Sequence, residues 1–122
     1  TPLLVPLVEE DWLEHPSTKL ILREYLKPLL QHGMDTLVLG CTHYPLLKPL
    51  LSKILNHRVR LVDSAVVCAE HVKKLLTDQR LLRTAKGKPR LEIALTDLSE
   101  RFEALAKRFL RSDFGRVQRV AL

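Results

Sequence analysis

The sequence predicts an α/β fold, a parallel sheet flanked by helices, and three observations carry that prediction. Short apolar runs of strand length alternate with longer stretches whose apolar residues recur at helical spacing. The runs end in turn formers, Gly40 after residues 36–39 and Asp63-Ser64 after residues 59–62. The resulting order, β-α-β-α-β-α-β-α-β, is that of a parallel sheet with right-handed crossovers.

Residues 3–8 form a dense apolar run, read as a first strand, with Pro2 before it and Pro6 inside it. A proline there points to an edge, a bulge or a strand end. Glu9, Glu10 and Asp11 follow at its carboxyl end, Trp12 and Leu13 anchor the return, and His15-Pro16 breaks the chain. Ser17 or Thr18 caps a helix to about residue 31, with Leu22, Leu26, Leu29 and Leu30 inward. Pro28 is expected to kink or shorten it, and Gly33 ends it.

Residues 35–51, DTLVLGCTHYPLLKPLL, are the centre of the chain. Thr36, Leu37, Val38 and Leu39 read as an interior parallel strand. Tyr44-Pro45 opens a helix, proline sitting where its missing N–H costs nothing, and Pro49 is expected to kink it. Leu47, Leu50, Leu51, Ile54 and Leu55 mark its inner face. Cys41 thus falls at the carboxyl end of a strand, where open α/β sheets bind ligands, beside N–H groups that favour a thiolate and a bound carboxylate.

A strand over residues 59–62 follows, then a helix started by Asp63-Ser64 with Val67, Val72, Leu75 and Leu76 inward. Residues 77–89 read as an exposed connection and residues 90–96 as a strand. Residues 97–100 cap a helix to about residue 110 with Phe102, Leu105, Ala106 and Phe109 as its stripe, and residues 116–122 make a last strand.

With 122 residues, 46% of them hydrophobic, the chain can bury one modest core. No apolar run approaches the roughly 20 residues that span a bilayer. The chain starts without Met, on an apolar segment and with no leader, which predicts a fragment or processed piece. Two cysteines in a helix-rich chain predict a reducing, cytoplasmic setting. A formal charge of +6 is compatible with an acidic partner, but the basic residues are scattered and aromatics are 5% of the chain. Without a stacking platform for bases, nucleic acid is not expected and solvated helix faces account for the charge.

LGCTHYP (residues 39–45), together with VPLVEE (residues 5–10), resembles the glutamate racemase family of the aspartate/glutamate racemase superfamily. LVDS (residues 61–64) and LTDLS (residues 95–99) follow in the family's order. The resemblance covers the chain but only the carboxy-terminal half of a family member. It implies half of a two-lobed racemase fold: residues 1–64 part of the second lobe, carrying the Cys41 motif, and residues 65–122 returning to complete the first. It further implies cofactor-independent inversion of glutamate between two cysteine bases, with neither pyridoxal phosphate nor metal. Cys41 resembles one base, His43 the histidine that assists it, Glu9 the acid supporting that histidine, and Thr42 a ligand of the substrate's α-carboxylate. The product, D-glutamate, serves peptidoglycan synthesis, and with it cell-wall biogenesis and cell shape, in a bacterial cytoplasm. The expected partners are glutamate and the missing amino-terminal half, with no membrane; a homodimer is compatible with the sequence, which leaves the oligomeric state open. Because the other cysteine belongs to that absent half, this polypeptide alone is expected to be inactive.

Other readings stand beside these. A free cysteine commonly behaves as a small buried hydrophobe. His43 as a helix cap, and Glu9 and Glu10 as the polar end of a strand, are each self-consistent. Cys68, within a helix and outside any motif, reads as packing; Asp63, Ser64 and Asp97 read as caps. His57 and His71 complete no tetrahedral set with Cys41 and His43, so zinc is not expected. A second racemase of the superfamily, such as one acting on aspartate, fits the same motifs. So does a non-catalytic binding or regulatory module, for which only the net positive charge speaks in the sequence, although some members of the family it resembles also act on DNA gyrase, or a degenerate gene product.

Overall fold

The computed structural model describes residues 1–87, 91–97, 102–110 and 114–121, and divides into two compact units, Thr1–Leu82 and Arg83–Leu122. In the first unit the opening apolar run is a helix, α1 (Leu4–Glu9), where a strand was predicted. Leu4 and Val8, one helical turn apart, are buried, while Leu3 and Pro6 are exposed. Pro6 is the third residue of α1, where its missing N–H has no partner within the helix in any case.

Helix α2 (Pro16–Gln31) begins two or three residues earlier than predicted, since His15, not Ser17 or Thr18, is its cap: Nδ1 accepts from the Ser17 N–H at 3.2 Å and Pro16 takes the first helical position. Thr18 belongs instead to the inner face, fully buried in one row with Leu22 and Leu26, its hydroxyl donating to the Trp12 carbonyl at 2.6 Å. Leu29 and Leu30, expected inside, are 44% and 45% exposed and rim open cavities. The helix continues through Pro28 to Gln31, and Gly33, at φ +75°, supplies the left-handed turn that ends it.

Strand β1 (Thr36–Leu39) pairs in parallel with β2 (Arg60–Asp63), with Leu39 opposite Asp63. Leu39 is buried but Val38 is 62% exposed, so β1 is covered on one face, unlike the interior strand that its apolar run predicted. The chain then makes a 3₁₀ turn (Tyr44–Leu47) and helix α3 (Lys48–Ile54). A proline stands in the opening turn of each, so Pro49 marks the junction and removes no hydrogen bond. Leu47, Leu50, Leu51 and Leu55 are buried, with Leu4, Val8, Leu22, Leu26 and Leu39, as one core. Nine apolar side chains from helices α1, α2 and α3, the 3₁₀ turn and one face of β1 hold this unit together.

Helix α4 (Ser64–Asp78) is capped by Asp63, as predicted, Oδ1 accepting from the N–H groups of Ala65 and Val66. Its stripe is not buried: Val67, Val72 and Leu75 are 53%, 45% and 47% exposed, and Leu76 is half-buried. Cys68 is likewise exposed, which overturns its reading as a packing residue. The periodicity of α4 is that of an inward face, and nothing in this unit covers it.

In the second unit β3 (Ile93–Leu95) pairs in parallel with β4 (Val117–Arg119), and α5 (Phe102–Leu110) lies between them in sequence. Ala106 is buried and Phe102 and Leu105 half-buried, but Phe109 is 38% exposed. The helix cap expected at residues 98–100, together with Pro89, Arg90 and Leu122, lies outside the described residues. Among the described residues the strands therefore form two two-stranded parallel sheets in place of one continuous sheet. The fold is α/β with parallel strands, as its periodicity predicted.

Candidate active site

Three elements of the first unit converge at Cys41. Strand β1 ends at Leu39, so the thiol stands two residues beyond the last paired position, half-buried. The Tyr44 N–H returns to the Cys41 carbonyl at 3.2 Å and the Leu46 N–H to the His43 carbonyl at 3.1 Å, which folds residues 41–46 into a tight turn. Helix α1 packs on the 3₁₀ turn through Val8 and Leu47, both fully buried, and so delivers Glu9 beside His43. The hydroxyls of Thr1 and Tyr44 are hydrogen-bonded across the same seam.

The side chains form a relay. Cys41 Sγ lies 3.8 Å from His43 Nδ1, and His43 Nε2 lies 3.2 Å from Glu9 Oε1. A carboxylate only accepts, so the Nε2–H donates to Glu9 and Nδ1 presents its lone pair towards the thiol. That is the order of a nucleophile, a base and an orienting acid. Of the two adjacent glutamates, it is the Glu9 carboxylate that lies within reach of the imidazole Nε2. Thr42 Oγ1 lies 3.3 Å from His43 Nδ1, so in this structure its hydroxyl sits on the imidazole. The site is open, the His43 and Glu9 side chains being 23% and 47% exposed. The element that follows the thiol is the four-residue 3₁₀ turn, and the α-helix expected to start there begins only at Lys48.

Sequence reasoning missed two contacts on this turn. Ser64 Oγ donates to the Leu39 carbonyl at 2.8 Å, and Lys48 Nζ lies 3.4 Å from Asp63 Oδ2. The LVDS motif was the available signal, but its residues read as caps alone. Among the described residues no three of His, Cys, Asp and Glu converge as a metal site, and no helix is long and apolar enough to cross a membrane.

No protein-family model matches the chain. It is 49% identical over 121 residues to a glutamate racemase of Neisseria meningitidis, an alignment covering 99% of this chain and 44% of that protein. A glutamate racemase of Syntrophus aciditrophicus is 48% identical over 120 residues, again across 44% of its length. Two crystal structures are similar in fold. Glutamate racemase from Francisella tularensis in complex with D-glutamate superposes with a TM-score of 0.86 at 30% identity, over 98% of this chain and 44% of that one. Glutamate racemase from Thermus thermophilus in complex with β-chloro-D-alanine gives 0.85 at 39% identity, over 99% and 46%. The chain spans under half the length of the relatives it matches. Sequence and fold together therefore relate this chain, along nearly its whole length, to a part of the glutamate racemases.

Proposed function

We propose that the chain is the carboxy-terminal half of a glutamate racemase that interconverts L- and D-glutamate without a cofactor, with Cys41 as one of two cysteine bases. The observation that carries the reading is the Cys41–His43–Glu9 relay, standing at a strand exit in a chain similar to glutamate racemases. Glu9 holds the His43 Nε2–H, Nδ1 takes the thiol proton, and the Cys41 thiolate accepts the α-proton of one enantiomer. The C–H bond breaks towards Sγ, and the electron pair left on the α-carbon takes a proton from a thiol on the opposite face. Thr42, through its hydroxyl and N–H, binds the substrate's α-carboxylate, which spreads the charge developing at the α-carbon.

On this reading the second cysteine lies in the remainder of the longer protein. Residues 1–64 belong to one lobe and residues 65–122 return to the other, which covers the uncovered stripe of α4. The product supplies D-glutamate for peptidoglycan in the cytoplasm. In the complete protein, Cys41→Ser should abolish inversion while leaving glutamate binding within about threefold, since an alcohol is a far weaker base than a thiolate. Unchanged racemisation in that variant removes Cys41 from the mechanism.

A further inference from the structure

We infer that Ser64 is a positioning residue for Cys41, holding the strand exit that carries the thiol. Its kinetic consequence rests on the racemase reading; its effect on the thiol rests on geometry alone. The β1–β2 ladder ends with Leu39 opposite Asp63. Beyond it the chain reaches Cys41 through Gly40, the residue with the greatest backbone freedom. No crowding explains that glycine, since a Cβ built on it meets nothing within 4 Å. The Leu39 side chain is buried, and its carbonyl receives the Ser64 hydroxyl at 2.8 Å. One side-chain bond thus continues the ladder past its last pair, next to the glycine that leads to Cys41.

Capping does not account for this hydroxyl. Asp63 Oδ1 already accepts from the N–H groups of Ala65 and Val66, and Ser64 turns away from its own helix to the neighbouring strand. The far side of the turn is tied to the same place: Lys48, which follows the 3₁₀ turn, reaches Asp63 Oδ2 at 3.4 Å. Asp63 and Ser64 therefore hold residues 40–47 at both ends. The two ties differ in strength. The Lys48 side chain is 42% exposed, and an ion pair so open to water contributes little. A short hydrogen bond to the carbonyl of a buried residue contributes more, so Ser64 is the residue to test.

The test compares Ser64→Ala with Ser64→Thr, which keeps the hydroxyl, in the protein as its gene encodes it. A Cys68→Ser background removes the exposed thiol of α4, and alkylation is followed on the Cys41 peptide by mass spectrometry, so that cysteines elsewhere in the longer protein do not count. The readouts are kcat and KM for glutamate and the rate of Cys41 alkylation by iodoacetamide at neutral pH. Ser64→Ala should lower kcat and the alkylation rate by about fivefold, the loss of one hydrogen bond, with KM within about twofold. Ser64→Thr should restore both. Unchanged rates in Ser64→Ala, or an equal loss in Ser64→Thr, overturns the inference. If the unaltered protein inverts no glutamate, the racemase reading fails by itself, and the alkylation comparison still decides the role of Ser64.

Discussion

Replacing Glu9 by Gln isolates what the carboxylate does for the relay, because the amide keeps the shape and an accepting oxygen but loses the charge. The 3.2 Å separation from His43 Nε2 sets the scale. In bulk water a unit ion pair at that distance is worth about 1.3 kcal/mol, and roughly four times that at the effective dielectric of a protein surface. With 47% of the Glu9 side chain and 23% of the His43 side chain exposed, the watery limit applies to this chain, and salt screening and side-chain ordering reduce it further. The expected loss is about 0.5–1 kcal/mol, or a two- to fivefold slower alkylation of Cys41 at neutral pH in a Cys68→Ser background. The sign follows from the chemistry: a weaker partner on Nε2 makes Nδ1 less ready to take the thiol proton. If the remaining half covers the site, the same substitution removes a charge from drier surroundings, so kcat of the complete enzyme should fall by at least about tenfold. Glu10→Gln is the control and should leave the alkylation rate within about twofold. An effect of Glu10→Gln equal to that of Glu9→Gln, or no effect of Glu9→Gln in either protein, would refute the relay.

The chain of 122 residues by itself should give no detectable inversion of glutamate by polarimetry, and co-expression with the missing half should restore it. Leu22→Ala should destabilise the first unit by about 3 kcal/mol in urea unfolding, since the side chain is 1% exposed at the centre of the core. An effect below about 1 kcal/mol would mean that the core repacks around it. Gly115→Ala should weaken the second unit, because a Cβ there would meet the Leu91 carbonyl oxygen at 2.8 Å and that oxygen accepts the Gly115 N–H. Faster amide exchange at Ile93 and Val120, which bridge β3 and β4, is the readout.

The sequence by itself determined the α/β class, the parallel pairing around residues 36–39 and the candidate residues of the site. Those features are local: apolar period, turn formers, and a Cys-Thr-His run directly after a strand. Helix α4 was legible for the same reason, down to its Asp63 cap. Tertiary structure alone decided the rest. Residues 3–8 are apolar enough for a strand, yet become helix because Leu4 and Val8, one turn apart, both fit the pocket lined by α2 and the 3₁₀ turn. That choice sets the angle at which the chain leaves Val8 and hence which of two adjacent glutamates meets His43. The family motif favours Glu9 over Glu10, but spacing along the chain cannot show which of them meets His43, because that contact crosses 34 residues. The Ser64 bond to Leu39 was invisible for the same reason, being a pairing across a parallel crossover. Conversely, α4 carries an apolar stripe that its own unit leaves exposed, so periodicity alone overstated its burial. An amphipathic pattern records that a face is to be covered, and only packing says by what.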